Sequence, residues 1–391
     1  MAYTVLARRY RSTDFDEVVG QEPIARTLRA AIEANRVAHA YLFCGTRGVG
    51  KTSMARIFAK ALNGNPGAGP DDPVNKAIMT GQDTDVIEID GASNNSVEQA
   101  RELIANAGYR PMRGKYKIYI IDEVHMLSTA AFNALLKTME EPPEHVKFIL
   151  CTTEAHKVPA TIQSRCQRFD FRNIPAMRIA EHLRAVIERE GLAADEDLVF
   201  EVARLGAGSM RDALSVLDRL MASGEQRLTL ALLEELLGLP ARDLVSGLID
   251  AFAAGDAGAA LAQAGALMER SVAPDQLLET LAERLRDLMV LGACGGDTDL
   301  VEIGEQARAE ETQRAEAFDA AGLSHMIALC DGAQRSLKAS PAPRALLDAV
   351  IVRLALAEKI ADVTGLVREL REGNGAAGRA VPERSAGSKK R

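Results

Sequence analysis

Through the first 175 residues, short apolar runs alternate with amphipathic stretches. The runs "AYLFC" (40–44), "DVIEID" (85–90), "KIYIID" (117–122), "KFILCTT" (147–153) and "RFDF" (168–171) read as strands. Between them the spacing predicts helices over about 51–62, 96–107 and 128–140, with Ser96 and Gln99 forming a capping box for the second. Strands that alternate with helices imply an α/β unit built on a parallel sheet with flanking helices.

Beyond about residue 175 the strand signal ends. "RIAEHLRAVIEREG" and "LVFEVARLG" carry apolar residues at helical spacing, each closed by a glycine. An Ala- and Leu-rich helical region runs from about 240 to 371 without a clean internal repeat. The tail "EGNGAAGRAVPERSAGSKKR" is polar, glycine-rich and basic, a composition that favours disorder. These changes divide the chain into 1–174 (α/β), 175–239 (helical), 240–371 (helical) and a tail, 372–391.

Composition narrows the picture. A chain of 391 residues suggests two or three domains, and a hydrophobic share of 47% is enough for real cores. With no Trp and 4% aromatics, Ala, Leu, Val and Ile must fill them. A net charge of −8 excludes a chain that is a basic nucleic-acid coat throughout, so any DNA contact must be local or shared with other subunits. The five cysteines are scattered and form no C-x-x-C, which argues against a disulfide framework or a zinc site. The N-terminus has no signal-peptide core and no window of 18 apolar residues occurs, so a soluble cytoplasmic protein is expected.

The chemistry lies between the strands. "GTRGVGKT" (45–52) fits G-x-x-x-x-G-K-[ST] between a strand and a helix. Its glycines let backbone N–H groups turn toward phosphate oxygens. Gly45, Gly48, Gly50, Lys51, Thr52 and Ser53 are the expected phosphate-binding residues, with Lys51 on the β/γ-phosphates and Thr52 on Mg²⁺. "KIYIIDEVH" (117–125) brings Asp122 to a strand end, where it can hold the Mg²⁺ shell, and Glu123 beside it can activate water. Two adjacent carboxylates near a P-loop favour ATP hydrolysis over binding alone. Thr153 could direct its hydroxyl at the γ-phosphate or the water, or could reflect strand preference only. Arg211 falls in the first turn of a helix that Ser209 would cap, where a cation opposes the helix dipole unless an anion faces it; a surface ion pair is the alternative.

In this order the motifs resemble those of AAA+ ATPases and, more narrowly, the gamma/tau family of bacterial DNA polymerase III clamp-loader subunits. The stretches that carry the resemblance are "VLARRYRSTDFDEVVGQE", "HAYLFCGTRGVGKTSMARIFAKALN", "YIIDEVHMLSTAAFNALLKTMEEPPEHVKFIL", "SRCQRFDF" and "GSMRDALSVLD". The likeness is dense over about 1–220 and thinner to about 365. It implies a P-loop ATPase core, an all-α lid carrying Arg211 and an all-α collar through which subunits assemble into a pentamer. It also implies ATP-driven loading of the sliding clamp onto primed DNA with delta and delta-prime subunits. The family is catalogued as part of a DNA polymerase, but a chain of this kind is not expected to synthesise DNA itself. By the same resemblance Val18, Val19 and Arg11 would meet adenine and ribose. "SRC" would be an arginine finger, with Arg165 directed at the ATP of a neighbouring subunit; helix capping or pairing with Asp170 is the other reading.

Two departures stand out. Between Asn63 and Asp85 the family usually carries a zinc module of four cysteines, whereas "GNPGAGPDDPVNKAIMTGQDT" has none and is shorter, so zinc is expected to be absent. The chain also ends in its basic tail, without the regions that bind helicase and polymerase in longer tau forms. Rival readings are a branch-migration or remodelling AAA+ enzyme and a clamp-loader scaffold that binds nucleotide without turnover.

Overall fold

A computed structural model describes residues 4–68, 71–93, 106–270, 272–298, 300–337 and 339–357, which fall into two compact units, one ending at Thr229 and the next beginning at Leu230. The capping box expected at Ser96 and Gln99, and the tail, lie outside the described residues.

The first unit is built on five parallel strands: β1 (Ala40–Cys44), β2 (Val86–Asp90), β3 (Lys117–Asp122), β4 (Val146–Thr152) and β5 (Gln167–Asp170). Their spatial order is β2-β3-β4-β1-β5, with Leu42 opposite Leu150 and Arg168, and Ile120 opposite Ile149. β1 and β4 are central and buried at every position, while β5 forms an edge and carries exposed Gln167, Arg168 and Asp170. That is why the central runs are almost wholly apolar and the edge run is not.

Successive strand residues alternate between two cores. Tyr41, Phe43, Ile118, Ile120 and Ile149 pack with Leu28, Met54, Ile57 and Phe58 on one face. Leu42, Tyr119, Ile121, Phe148 and Leu150 pack with Phe132, Leu135, Met139 and Ile162 on the other. The covering helices are α1 (Leu6–Arg9), α2 (Glu22–Glu33), α3 (Lys51–Asn63), α4 (Pro73–Thr80), α5 (Thr129–Glu140) and α6 (Ala160–Gln163). Helices α7 (Ala176–Arg189), α8 (Glu196–Leu205) and α9 (Met210–Met221) follow and complete this unit.

One small strand pairing departs from the all-helical expectation after residue 175. Ala193–Ala194 pair in parallel with Arg227–Leu228. Two-residue strands are too short to carry an alternating pattern, so they leave no periodic trace in the sequence.

The second unit comprises α10 (Leu230–Leu237), α11 (Arg242–Ala254), α12 (Ala257–Glu269), α13 (Pro274–Cys294), α14 (Glu305–Ala315), α15 (Ala320–Leu337) and α16 (Pro343–Ala355). Its core is aliphatic, with Leu277, Leu281, Leu285, Leu288 and Leu291 along one side of α13. One ion cluster is buried in it: Glu311 accepts from Arg284, and from Arg314 at 2.9 Å. Among the described residues no helix is long and apolar enough to cross a membrane.

Candidate active site

The site forms where β1, β3 and β4 end. β1 carries the chain to Cys44, and Gly45 N–H donates to Thr152 O at 3.2 Å, tying the loop's start to the end of β4. Gly48 and Gly50 take φ of +77° and +101° and turn the chain into α3, whose first residue is Lys51. Lys51 is 5% exposed, and its ammonium donates to Gly45 O (2.8 Å) and Thr46 O (2.7 Å). One of its three hydrogens is left over, and among the described residues no carboxylate touches it. Burial lowers its pKa, partly opposed by Cys151, Glu123 and Asp122 nearby. A buried cation with a spare donor and no contacting anion suits an anionic ligand, because uncompensated buried charge is costly.

Asp122, at the end of β3, accepts from the Thr52 hydroxyl at 2.6 Å. Hydroxyl plus carboxylate is a hard-oxygen donor pair of the kind Mg²⁺ takes, so these two residues could hold such an ion. Glu123 sits at φ +44°, a left-handed conformation rare outside glycine and common where a functional side chain must be aimed. Its backbone N–H donates to Asp122 Oδ1 at 3.0 Å, and its Oε2 accepts from the Thr153 hydroxyl at 3.1 Å. Thr153 therefore touches Glu123.

The same carboxylate oxygen lies 3.4 Å from Nδ1 of His125, a residue the sequence reading passed over. His125 follows the acidic pair directly, inside the 3-10 turn Val124–Met126. A lone histidine there has no spacing signature, because its partners Thr152 and Glu154 come from a different strand end.

The lid helix α9 reaches the phosphate loop. Ser209 caps α9 by accepting from Asp212 N–H at 3.2 Å, as expected. Arg211 N–H donates to Gly48 O at 3.4 Å. A Cβ at Gly48 would run into the Ser209 hydroxyl and stand 2.9 Å from its Cβ. The closest approach of lid to loop is thus at Gly48, which a motif match alone could not reveal.

One cavity gathers most of the expected residues: Gly48, Gly50, Lys51, Thr52 and Ser53 from the loop and α3, with Asp122 and Glu123 from the end of β3. Val18, Val19 and Arg11 line it from the N-terminal segment, and Arg211 from α9. Tyr10 and His182 line it too and were not anticipated. Among the described residues the side chains of Arg11 and Arg211 make no hydrogen bond or close ion pair, although the charges of Glu88 and Asp122 act on Arg11. Burial, and then the charge of Arg56, lowers the pKa of Arg11. Gly45 does not line the cavity, and its Cβ position would be 2.7 Å from Phe171 O.

Arg165 does not line this cavity. It donates to Thr161 O in α6 and to Glu140 Oε1 at the end of α5, both at 2.7 Å. Asp170 is taken instead by Arg168, at 2.7 Å.

Three family models together cover nearly all of the chain. "DNA polymerase III, delta subunit" matches residues 20–175, "DNA polymerase III clamp loader subunit, ATPase lid domain" residues 178–226, and "DNA polymerase III subunits gamma and tau domain III" residues 228–370. DNA polymerase III subunit gamma of Buchnera aphidicola is 42% identical over 243 residues, 61% of this chain and 67% of that protein. The chain belongs to the gamma/tau family of DNA polymerase III subunits. DNA polymerase III subunit tau of Bacillus subtilis is 39% identical over 361 residues, covering 90% of this chain and 63% of the relative. The chain thus spans less than two thirds of that relative's length. Among solved structures, the Thermotoga maritima RuvB branch migration motor aligns with TM-score 0.45 and 19% identity, over 61% of this chain and 78% of its own. The family assignment rests on the sequence relatives and the family models. Arg211 falls within the segment that matches the ATPase lid domain.

Proposed function

We propose that the chain is the Mg²⁺-dependent ATPase subunit of a clamp loader, which uses ATP to place the sliding clamp on primed DNA. The observation that carries this is the convergence on one cavity of Lys51, the Thr52–Asp122 pair, Glu123 and the lid arginine Arg211. In this reading Lys51 and the backbone of Gly45–Gly50 bind the phosphates, Arg211 adds charge from the lid, and Arg11 meets the adenine and ribose from the N-terminal segment. Thr52 and Asp122 hold Mg²⁺, which would supply charge neutralisation at the phosphates. Glu123 takes the proton of the attacking water, Thr153 orients Glu123, and Val18 and Val19 pack the base. Arg165 acts on a neighbour's nucleotide.

The chain would divide into ATPase core, lid, collar and a basic tail. Its partners would be delta and delta-prime subunits, further copies of itself, the clamp and DNA, in a cytoplasmic, nucleoid-associated replisome. Zinc has no place in this scheme, since residues 64–84 contain neither Cys nor His. The intact Lys51, Asp122 and Glu123 favour turnover over a scaffold role.

The test uses the chain reconstituted with its host's delta-type subunits, clamp and primed DNA. Lys51→Ala should lose nucleotide binding, since the phosphate charge is left uncompensated. Glu123→Gln should keep binding and lose clamp- and DNA-stimulated hydrolysis. Equal loss of nucleotide affinity in both variants would overturn the division of roles.

A further inference from the structure

A second cavity, of about 390 Å³, is walled by the N-terminal segment, α3 and α4. Its size falls within the range of about 300–1,000 Å³ typical of small-molecule sites. Six of the residues that line it are basic: Arg8, Arg9, Arg11, Arg56, Lys60 and Lys76. Its acidic lining residues are Asp14 and Glu17. In a chain of net charge −8, cations gathered at this density form a local field that attracts anions.

Three of the six are committed to carboxylates. Arg56 donates to Glu88 through Nε at 2.7 Å and Nη2 at 2.8 Å, and through Nη1 to Met79 O at 2.8 Å. Lys60 donates to Asp14 Oδ2 at 2.9 Å and to Thr13 O at 2.6 Å. Arg9 pairs with Glu190 at 2.6 Å. These contacts fix the walls, since Arg56 ties α3 to α4 and Lys60 ties α3 to the N-terminal segment. Glu17 accepts from the backbone N–H and the hydroxyl of Thr13, at 2.6 and 2.9 Å. Among the described residues the side chains of Arg8, Arg11 and Lys76 make no hydrogen bond or close ion pair. With Glu17 set against these three, the cavity keeps a surplus of two positive charges. Arg8 and Lys76 are exposed, whereas Arg11 is half-buried. Burial and then the charge of Arg56 lower the pKa of Arg11, and the carboxylates of Glu88 and Asp122 offset this only in part. A desolvated cation facing a like charge is costly, and an anion set among them removes that cost.

We propose that this cavity is a second anion site, which takes a small phosphate compound of the pyrophosphate or phosphate-monoester class and shares Arg11 with the nucleotide cavity. Arg8, Arg11 and Lys76 supply the free donors. A guanidinium offers a planar fork of N–H groups that matches phosphate oxygens two at a time, and a lysine adds a point charge. The surplus of two charges suits a doubly charged phosphate better than a carboxylate. A nucleic-acid strand fits less well, because strand binders combine a basic groove with aromatic platforms for the bases. Among the described residues no aromatic side chain lines this cavity. Arg11 lines both cavities, so occupation of the second changes what that arginine offers to a nucleotide in the first. The link to nucleotide, though not the anion site itself, rests on the ATPase reading.

The probe is pyrophosphate, titrated calorimetrically into the full chain carrying Lys51→Ala, so that the phosphate loop does not compete for it. Saturable binding of one pyrophosphate per chain is expected. Adding Arg8→Ala together with Lys76→Ala should weaken it about tenfold or more, since each change removes a charge-assisted contact. Both side chains are exposed, so the fold should survive, and thermal melting checks that it does. With Lys51 restored, the same pair of changes should keep affinity for a fluorescent ATP analogue within about twofold, as distant surface charges are screened. Arg11→Ala should weaken both ligands; loss of the analogue alone would overturn the shared role of Arg11. Absence of saturable pyrophosphate binding, or binding indifferent to Arg8 and Lys76, would overturn the site. So would a single-stranded oligonucleotide that binds through Arg8 and Lys76 where pyrophosphate does not, since the cavity would then belong to a nucleic-acid surface. If the analogue binds Lys51→Ala as tightly as wild type, the ATPase reading fails, while the comparison at Arg8 and Lys76 still decides the anion site.

Discussion

Gly48 shows how much a single position can be asked to do. It adopts φ +77°, which costs an L-residue roughly 1–2 kcal/mol. It also faces Ser209 and Arg211 so closely that any Cβ must displace the lid's first turn. Gly50, at φ +101°, meets nothing within 4 Å, so the two glycines are needed for different reasons. Gly48→Ala should therefore weaken nucleotide binding by about five- to thirtyfold if a strain of that size is felt at the site, 1.4 kcal/mol being a factor of ten. It should do so by moving Arg211 as well as by straining the loop. Gly50→Ala carries the strain without the collision and should lose less. Titration with a fluorescent ATP analogue checks the order, and equal losses would mean that the lid approach at Gly48 does not matter for binding.

Among the elements, β3 matters most, because it delivers Asp122 and Glu123. Its entry is held by Asp85, a buried carboxylate that accepts from the backbone N–H groups of Met112 (2.6 Å), Arg113 (2.7 Å) and Gly114 (2.7 Å). Burial pulls the Asp85 pKa upward, but the three N–H donors and the charge of Arg113 outweigh it and hold it below the ordinary value. A carboxylate whose folded-state pKa is depressed contributes stability above its unfolded value, near 3.9, and that contribution is lost as pH falls through the folded value. Asp85→Asn should thus lower the melting temperature at pH 7, with the gap to wild type narrowing below about pH 4. A gap that stays constant down to pH 3 would show that the charge is not what matters.

The elements also differ in how readable they are. The core strands match their expected positions to within a residue at each end, because buried parallel strands leave unbroken apolar runs. α4 was not anticipated, although its signals are present: Asp72 caps by accepting from Val74 and Asn75 N–H, Pro73 is at the first turn, and Gly81 closes it at φ +72°. α1, four residues long, owes its place to burial of Leu6 and to Leu6 N–H donating to Asp218 of α9 at 3.3 Å. Contacts across some two hundred residues have no local pattern. The phosphate loop and the acidic pair were legible because their chemistry is contiguous in sequence, whereas His125 and the Ser209–Gly48 contact are assembled only by folding.

For the whole molecule the decisive residue is Arg165. In the single chain it is held by Glu140 and by Thr161 O, away from its own cavity, with its side chain 32% exposed. A surface ion pair of that kind is worth about 0–1 kcal/mol. An arginine finger supplied in trans can be worth about 10³–10⁵ in rate, or roughly 4–7 kcal/mol of transition-state stabilisation. The contacts seen here are thus weak enough to be exchanged for a neighbour's phosphate. Arg165→Ala should bind ATP nearly as wild type and lose hydrolysis, by less than the full factor where another step limits the cycle. Mixing separates action in trans from action in cis. Lys51→Ala cannot bind ATP but retains an intact Arg165, while Arg165→Ala binds ATP but has no finger to offer. Co-assembled, some interfaces join an intact pocket to an intact finger, and ATP turnover should return where neither variant alone shows any. If assemblies shown to contain both chains recover none, Arg165 serves its own subunit, and the exchange of its Glu140 contact for a neighbour's nucleotide does not occur.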